Sequence, residues 1–199
     1  GINHIVDDVV DVNLDERGYV SELILEEGGS HPVEMVVDCT GFRGLIIGDA
    51  LKEPFHPWNR QLLCDRALAV QLPHVDPKNL EPCTTSTALG AGWVWNLPLY
   101  NRVGTGYVFS SAFRTDEEAR DEFVAHLEGK GFKVDEEPRA IQMHVGRRER
   151  TWVKNCVSIG LAGGFVEPLE ATAIHTISAT LRLFAANFPD RSISQQIGR

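Results

Sequence analysis

The sequence predicts an α+β fold in which a mostly antiparallel sheet is accompanied by a long helix that follows a glycine-rich loop. Short apolar runs separated by turn residues recur along the first half of the chain, which is typical of strands joined in hairpins. Two longer segments, 116–128 and about 168–188, instead carry apolar residues at helical spacing. Strands grouped in hairpins, with helices segregated from them, favour α+β over an alternating arrangement.

In the first quarter of the chain, turn residues separate three apolar runs that we predict to be strands: 4–12, 19–25 and 33–38. The short apolar piece 45–51 is expected to be helical. Segment 53–60 contains two prolines and a tryptophan, and is expected to be a loop.

Further strands are predicted at 66–72 and 91–97, and a hairpin over 98–109 with its turn at 101–106. Thr115 and Glu118 have the spacing of a capping box at the start of the helix 116–128. The remaining elements are two strands and the long helix that begins near Pro168: 140–146, 152–159 and about 168–188.

Composition and charge argue against several classes of function. The chain has 199 residues, 43% hydrophobic and 24% charged, which fits one globular domain or a piece of a larger one. The net charge of −9 argues against nucleic acid or an anionic membrane as partner. The basic run 147–150 is short, and it is expected to form a solvated turn or internal ion pairs. No stretch approaches the roughly 20 apolar residues of a membrane span.

The four cysteines predict neither a metal site nor a disulfide framework, because they are far apart and form no CxxC pair. A reducing, cytoplasmic location is therefore expected. Cys39 and Cys156 lie in apolar, strand-like runs, and both are expected to be buried thiols.

The stretch 157–174 carries the most specific pattern. A predicted strand enters a loop made of Gly160, Leu161, Ala162, Gly163 and Gly164, and a helix leaves it. Glycines allow a ligand to approach the backbone, and the N–H groups at a helix N-terminus attract negative charge. The pattern suits a phosphate, the edge of a flavin ring or a halide. A tight turn without a ligand would use the same residues, and spacing alone leaves both alternatives open.

Two further patterns are weaker. Trp93 and Trp95 alternate in a predicted strand, so both indoles point to one face, either as a flat wall or as ordinary sheet packing. The fragment 38–42 is a strand end that turns on Gly41. No GxGxxG fingerprint opens a helix in these 199 residues, because the glycine pair 104–106 is followed by a strand.

Taken together, these residues resemble the tryptophan halogenase family of flavin-dependent enzymes. Trp93–Pro98 resembles the WxWxIP signature, with Leu97 where the family has Ile. Gly164–Thr172 resembles the FVEPLEST block around flavin and halide, and Asp38–Arg43 resembles the segment near the adenosine end of FAD. The resemblance runs in order through nearly the whole chain. It implies an internal segment of an FAD-dependent, monooxygenase-like halogenase fold.

The resemblance also implies a reaction and its participants. Reduced FAD, supplied by a flavin reductase, and O2 convert chloride or bromide into hypohalous acid, which halogenates an aromatic small molecule such as tryptophan. By position, Glu170 matches the catalytic glutamate, and the amides of Thr172 and Ala173 match the halide site. Trp93 and Trp95 match the pair that shields the flavin. The implied cofactor contacts, with no metal among them, are Thr40, Gly41, Gly160, Leu161, Ala162, Gly163, Gly164 and Ile174.

The sequence departs from the family pattern at two positions, with Ala171 in place of Ser and Ala173 in place of Gly. Ala173 keeps the backbone amide that the family's Gly would donate, but the Ala173 Cβ is expected to crowd the halide. The GxGxxG and the catalytic Lys of the family are expected to precede residue 1, so the isolated chain is expected to be inactive. We predict three parts. Residues 1–52 form the end of the FAD-binding portion, residues 53–150 a substrate-side sheet and helix, and residues 151–199 a flavin/halide loop with its helix.

Two alternatives stay open at this point. The first is a flavin monooxygenase relative that oxygenates its substrate, against which Trp93 and Trp95 argue. The second is a catalytically inactive remnant or binding module. The sequence leaves the substrate, its regiochemistry, the preferred halide and the oligomeric state undetermined.

Overall fold

The computed structural model describes residues 1–166, 169 and 172–188. The chain divides into two compact units, Gly1–His56 with Gly146–Arg199 and, between them in sequence, Pro57–Val145. The first unit contains these strands and helix: β1 Val9–Leu14, β2 Val20–Leu25, β3 Gly29–Pro32, β4 Val36–Asp38, β5 Phe55–Pro57, β11 Gly146–Arg148, β12 Trp152–Val153, β13 Cys156–Ser158, β14 Gly164–Phe165 and α2 Thr172–Ala186. The second contains these: β6 Arg66–Leu72, β7 Thr85–Leu89, β8 Gly92–Pro98, β9 Val103–Phe109, α1 Asp116–Gly129 and β10 Arg139–Gln142.

The first unit is built from three small sheets. Strands β1, β2 and β3 form an antiparallel meander, and β14, β11 and β5 form a second sheet. In the third, β13 pairs antiparallel with β12 and parallel with β4. The chain therefore leaves β4 and β13 at the same edge, where the segments after Asp38 and Ser158 come together. The core consists of Val20, Val36, Leu45, Ile46, Ile47, Val153 and Cys156.

The second unit is a five-stranded antiparallel sheet in the order β10-β6-β9-β8-β7, with α1 on one face. Alternate residues of the sheet pack with the apolar stripe of α1: Leu68, Val70, Leu72, Val94, Tyr107 and Phe109 against Ala119, Phe123 and Leu127. Trp93 and Trp95 alternate with the buried Val94 along β8, so they lie on the other face.

The capping box of α1 is confirmed. The Thr115 side chain accepts a hydrogen bond from the Glu118 amide at 3.2 Å, and the Glu118 carboxylate accepts one from the Thr115 amide at 3.0 Å. Two of the amides that the first turn of a helix leaves without helical partners are therefore satisfied.

The predicted α+β class, with mostly antiparallel sheets and a long C-terminal helix, is confirmed. The segment 45–50 is helical as predicted, but it is a π-helix. The Asp49 amide donates to the Gly44 carbonyl at 3.2 Å and the Leu51 amide to the Ile46 carbonyl at 2.9 Å, and both bonds span the five residues of a π-helical turn. Helix α2 begins at Thr172, and Pro168, near which we predicted its start, lies outside the described residues.

Several strand boundaries were predicted wrongly. Strand β3 lies partly in a predicted turn, β5 lies in a predicted loop, and β7 was not predicted. Strand β9 begins at Val103, inside the predicted turn, because the hairpin closes earlier with a hydrogen bond from the Leu99 amide to the Arg102 carbonyl. Within the part of the chain that the structure describes, no helix is long and apolar enough to span a bilayer.

Candidate functional site

Asp38 organises the turn that follows β4. Its side chain is fully buried, and Oδ1 accepts hydrogen bonds from the amide and hydroxyl of Thr40 at 2.9 and 2.7 Å. Oδ2 accepts the amides of Ile46 and Ile47 at 3.0 and 2.8 Å. A buried carboxylate is tolerated where donors surround it in this way. Asp38 therefore fixes the backbone of this turn.

The turn presents Thr40 and Gly41, two of the predicted cofactor contacts. The Thr40 hydroxyl also accepts the Leu45 amide at 2.7 Å, so its position is determined from both sides. Gly41 has φ of +71°, which favours glycine, and a Cβ placed there would meet nothing within 4 Å. The space in front of Gly41 is open, which fits the approach of a ligand to the backbone.

The glycine-rich loop follows the adjacent strand β13. The Ile159 amide donates to the Asp38 carbonyl at 2.9 Å, and Gly160–Ala162 then form a 3-10 turn with Gly160 at φ of +67°. Phe165, at the end of the loop, packs edge-on against Phe42 with ring centroids 5.4 Å apart. The structure thus brings Thr40 and Gly41 together with the loop Gly160–Gly164, as two predicted FAD segments at one sheet edge.

Helix α2 packs against this loop. Its Ile177 side chain lies close to Gly160, where a Cβ would be 3.5 Å from it. Thr172, Ala173 and Ile174 occupy the first turn of α2, where amides have no acceptor within the helix. Ile174 is 74% exposed. Glu170 and Ala171 lie outside the described residues, so the role of Glu170 stays a prediction.

Trp93 and Trp95 form one half-buried surface on the second unit. Their ring centroids are 6.2 Å apart with planes inclined by 60°, and the Thr105 hydroxyl donates to the Trp95 carbonyl at 2.7 Å. Trp95 pairs with Gly106 on β9. A Cβ at Gly106 would overlap the Trp95 ring, so the glycine allows the indole to lie across its neighbour strand. The predicted shielding of a flavin by this pair stays a prediction.

A cavity of about 230 Å³ lies on the opposite, α1-covered side of the same sheet. It is bordered by residues such as His74, Asn96, Thr105, His126 and Lys130. None of the site residues predicted from the sequence lines it.

Three charged residues near the loop were not recognised from the sequence as parts of the site. Glu53 is buried, and Arg150 donates to its carboxylate from Nε and Nη2 at 2.9 and 2.7 Å. The hydrogen bond from Arg150 lowers the pKa of Glu53, although burial opposes it. Arg148 donates to carbonyl groups around the loop. The ion pair agrees with the expected internal ion pairs of the run 147–150, but no local pattern identifies Glu53 as the partner, because it lies 97 residues away.

The cysteine predictions are half correct. Cys156 is buried in the core, and burial raises its pKa to about 12. Cys39 is exposed, so its predicted burial is wrong. The apolar run of β4 ends at Asp38, and Cys39 is the first residue beyond the strand. Among the described residues, no group of three His, Cys, Asp or Glu side chains could bind a metal ion.

The model of the tryptophan halogenase family matches residues 1–198. The chain belongs to the tryptophan halogenase family. Among curated relatives, it is 41% identical over 196 residues to tryptophan 6-halogenase ThaL of Streptomyces albogriseolus and 42% identical over 197 residues to tryptophan 7-halogenase RebH of Lentzea aerocolonigenes. Both alignments cover 98% of this chain but 36% of the relative, so the chain spans about a third of the length of these halogenases.

Solved structures of halogenases have the same fold over this region. The tryptophan 6-halogenase SttH of Streptomyces toxytricini superimposes with a TM-score of 0.89 at 40% identity, over 96% of this chain and 37% of that protein. BrvH, a flavin-dependent halogenase from Brevundimonas sp. BAL3, gives a TM-score of 0.87 at 44% identity, over 97% and 39%.

Proposed function

We propose that this chain is part of an FAD-dependent halogenase that uses reduced FAD, O2 and chloride or bromide to halogenate an aromatic small molecule such as tryptophan. One observation supports this most directly. Thr40 and Gly41 lie beside the loop Gly160–Gly164 at the carboxyl ends of two parallel strands, and Ile177 of α2 packs against Gly160 of that loop. Ligands of sheet proteins commonly bind at such strand ends, where helix N-termini add donors.

The residues present fit a flavin cofactor. Open space in front of Gly41 and the positive φ angles of Gly41 and Gly160 leave backbone accessible to a large planar ligand. In the proposed enzyme Thr40, Gly41, the loop Gly160–Gly164 and Ile174 contact FAD. When bound, reduced FAD would supply two of the four electrons that reduce O2 to water, and the halide would supply the other two as it is oxidised.

The first turn of α2 is the proposed halide site. The amides of Thr172 and Ala173 are at the positive end of the helix dipole, where an anion is stabilised by about 0.3–1 kcal/mol even at exposed positions. The Cβ of Ala173 narrows the space beside its amide, so chloride and bromide are expected to differ in affinity.

The remaining roles concern the oxidant and the substrate. Glu170 lies two residues before Thr172 in sequence, and a carboxylate there orients and polarises the oxidant during attack by the aromatic ring. Trp93 and Trp95 separate the substrate from the flavin, so that the substrate is halogenated and not oxygenated. A flavin reductase is the proposed source of reduced FAD. Relatives named as tryptophan 6- and 7-halogenases support tryptophan as the first substrate to test.

The test is halogenation by the full-length protein with a flavin reductase, O2, tryptophan, and chloride or bromide, with products identified by mass spectrometry. We expect halogenated tryptophan from the wild type. In Glu170→Gln, halogenated product per FAD oxidised should fall on the order of 10²-fold, while FAD binding and flavin reoxidation persist. Glu128→Gln, which changes an exposed residue of α1, is the control.

The other outcomes decide against the proposal. Oxygenated tryptophan as the main product would indicate a monooxygenase relative, and bound FAD without any product from tryptophan, other indoles or phenols would indicate an inactive remnant. If Glu170→Gln lowers the melting temperature but halogenates normally, Glu170 only stabilises the start of the helix.

A further inference from the structure

The side chain of Arg148 lies in a slot made by two glycines. Gly44 and Gly48 are four residues apart, at the start of and within the π-helix. A Cβ on Gly44 would lie 2.6 Å from Arg148 Nη2, and one on Gly48 would lie 2.7 Å from Cζ, so neither position has room for a side chain while the guanidinium is there. The guanidinium also lies over the Phe55 ring, 5.5 Å from its centroid.

From this slot Arg148 contacts both segments that we propose to bind FAD. Its Nη2 donates to the Arg43 carbonyl at 3.4 Å, in the turn that carries Thr40 and Gly41. Its Nε donates to the Ala162 carbonyl at 3.4 Å and its backbone amide to the Gly163 carbonyl at 2.8 Å, both in the glycine-rich loop. A third side-chain bond, from Nη1 to the Glu53 carbonyl at 3.0 Å, fixes the guanidinium plane.

The chemistry of these contacts needs arginine. Three carbonyl groups from three different segments accept from one planar group, whose donors point in fixed directions. A lysine ammonium carries the same charge on a flexible stem and cannot reach three acceptors around a plane. The two side-chain bonds at 3.4 Å are individually weak, but they join segments more than 100 residues apart in sequence.

We propose that Arg148 is a positioning residue for FAD binding, which fixes the loop Gly160–Gly164 at a set distance from the turn at Thr40 and Gly41. The inference rests on the proposed function, because those two segments are assigned to the cofactor there. Among the described residues, the Arg148 guanidinium contacts Gly44, Gly48, three backbone carbonyl groups and the Phe55 ring, so its effect on FAD binding is transmitted through the turn and the loop.

The test compares three variants of the full-length protein. Arg148→Lys keeps the charge and removes the planar donor set. Gly48→Ala keeps Arg148 and displaces its guanidinium. The control is Arg147→Lys, since Arg147 is exposed and its guanidinium donates to the carbonyls of the neighbouring residues Arg148 and Glu149.

Two readouts do not depend on turnover: the FAD dissociation constant, measured well below the melting temperature, and backbone hydrogen exchange of the FAD-free protein. We expect Arg148→Lys and Gly48→Ala to weaken FAD binding on the order of tenfold, as for loss of one to two hydrogen bonds. Exchange should accelerate in 160–165 but not in β6, β8 or β9. Arg147→Lys should match the wild type in both.

Unchanged FAD affinity and exchange in Arg148→Lys and Gly48→Ala would overturn the proposal. So would loss of folding in both variants, which would make Arg148 a purely structural residue. The proposed function fails separately: a wild type that binds FAD but does not halogenate, with Arg148→Lys still binding FAD more weakly, would refute the activity and retain the positioning role.

Discussion

At the residue scale, the positions of the Trp93 and Trp95 side chains depend on the neighbouring strand and on contacts at the other face of the sheet. Gly106, across from Trp95, leaves the space that the indole occupies. The start of β8 is fixed from the other face, where the buried Tyr107 hydroxyl donates to Glu122 at 2.8 Å and accepts the Ala91 amide at 3.1 Å. Burial, together with the bond to Glu122, raises the pKa of Tyr107 to about 12, so this donor stays protonated at physiological pH.

A substitution at Gly106 tests this account of the tryptophan pair. In Gly106→Ala the new Cβ would overlap the Trp95 ring and the Leu68 carbonyl oxygen, so the indole or the strand must move. We expect a loss of about 1–3 kcal/mol in the free energy of unfolding, as for overpacking, and a changed tryptophan signal in near-UV circular dichroism.

Gly104→Ala is the matched control on the same strand and the same face. A Cβ at Gly104 comes no closer than 4.0 Å to any neighbour, so urea unfolding and near-UV circular dichroism should both match the wild type. Equal effects of the two substitutions would mean that glycine is needed for the strand itself and not for the placement of Trp95.

How far single residues could be predicted depends on whether their signal is local. Alternation along a strand predicts that Trp93 and Trp95 share one face, and this pattern involves only neighbouring residues. Glu53 and Arg148 have no such local signal. Glu53 binds Arg150, 97 residues further along the chain, and Arg148 binds the Arg43 carbonyl, 105 residues before it. The roles given to Glu170, Thr172 and Ala173 came from the family resemblance and stay predictions.

At the element scale, α1 covers the inner face of the five-stranded sheet, so its stability supports the strand that carries the tryptophans. The first turn has both halves of a capping box. Thr115→Ala should lower the free energy of unfolding by about 0.5–2 kcal/mol, because the Glu118 amide loses its acceptor. Urea denaturation measures this difference.

A double-mutant cycle with Glu118→Ala provides the control for the capping box. Because the two side chains are bonded reciprocally to each other's backbone, the effects of Thr115→Ala and Glu118→Ala should not add. Strictly additive values would show that the two bonds act independently and that the box does not behave as one unit.

The elements that the sequence failed to predict are those whose stabilisation comes from partners elsewhere in the chain. Strand β7 is Thr-Ser-Thr-Ala-Leu, mostly exposed, and it is a strand because it pairs along β8. All four residues of strand β3 are exposed. Strand β3 is the edge of its sheet and pairs there with β2. Edge strands need no apolar alternation, since one side of their backbone pairs and their side chains face water.

At the scale of the whole molecule, the parallel pairing of β4 with β13 is the step that local patterns could not supply. It joins Val36–Asp38 to Cys156–Ser158 and so creates the sheet edge at which the candidate site lies. Hairpins can be predicted from a turn and two adjacent runs, but a parallel pair this distant in sequence depends on the tertiary fold. The assignment of 1–52, 53–150 and 151–199 to FAD-binding, substrate-side and flavin/halide parts stays a prediction.

The isolated 199-residue chain should bind FAD weakly or not at all. It contains two segments proposed to contact the cofactor, but no GxGxxG opening a helix, which is the unit that binds the pyrophosphate of a dinucleotide at a helix N-terminus. The dissociation constant for FAD should therefore be at least about tenfold higher than that of the full-length protein, as for loss of roughly 1.4 kcal/mol or more of binding free energy.

Flavin titration by fluorescence, with far-UV circular dichroism to confirm that the isolated chain is folded, measures this difference. The full-length protein, titrated in the same buffer, is the reference. If the folded 199-residue chain retains stoichiometric flavin through gel filtration, then Thr40, Gly41 and the loop Gly160–Gly164 are sufficient for the cofactor. In that case most of the binding free energy comes from the edge shared by β4 and β13, and the pyrophosphate unit adds little.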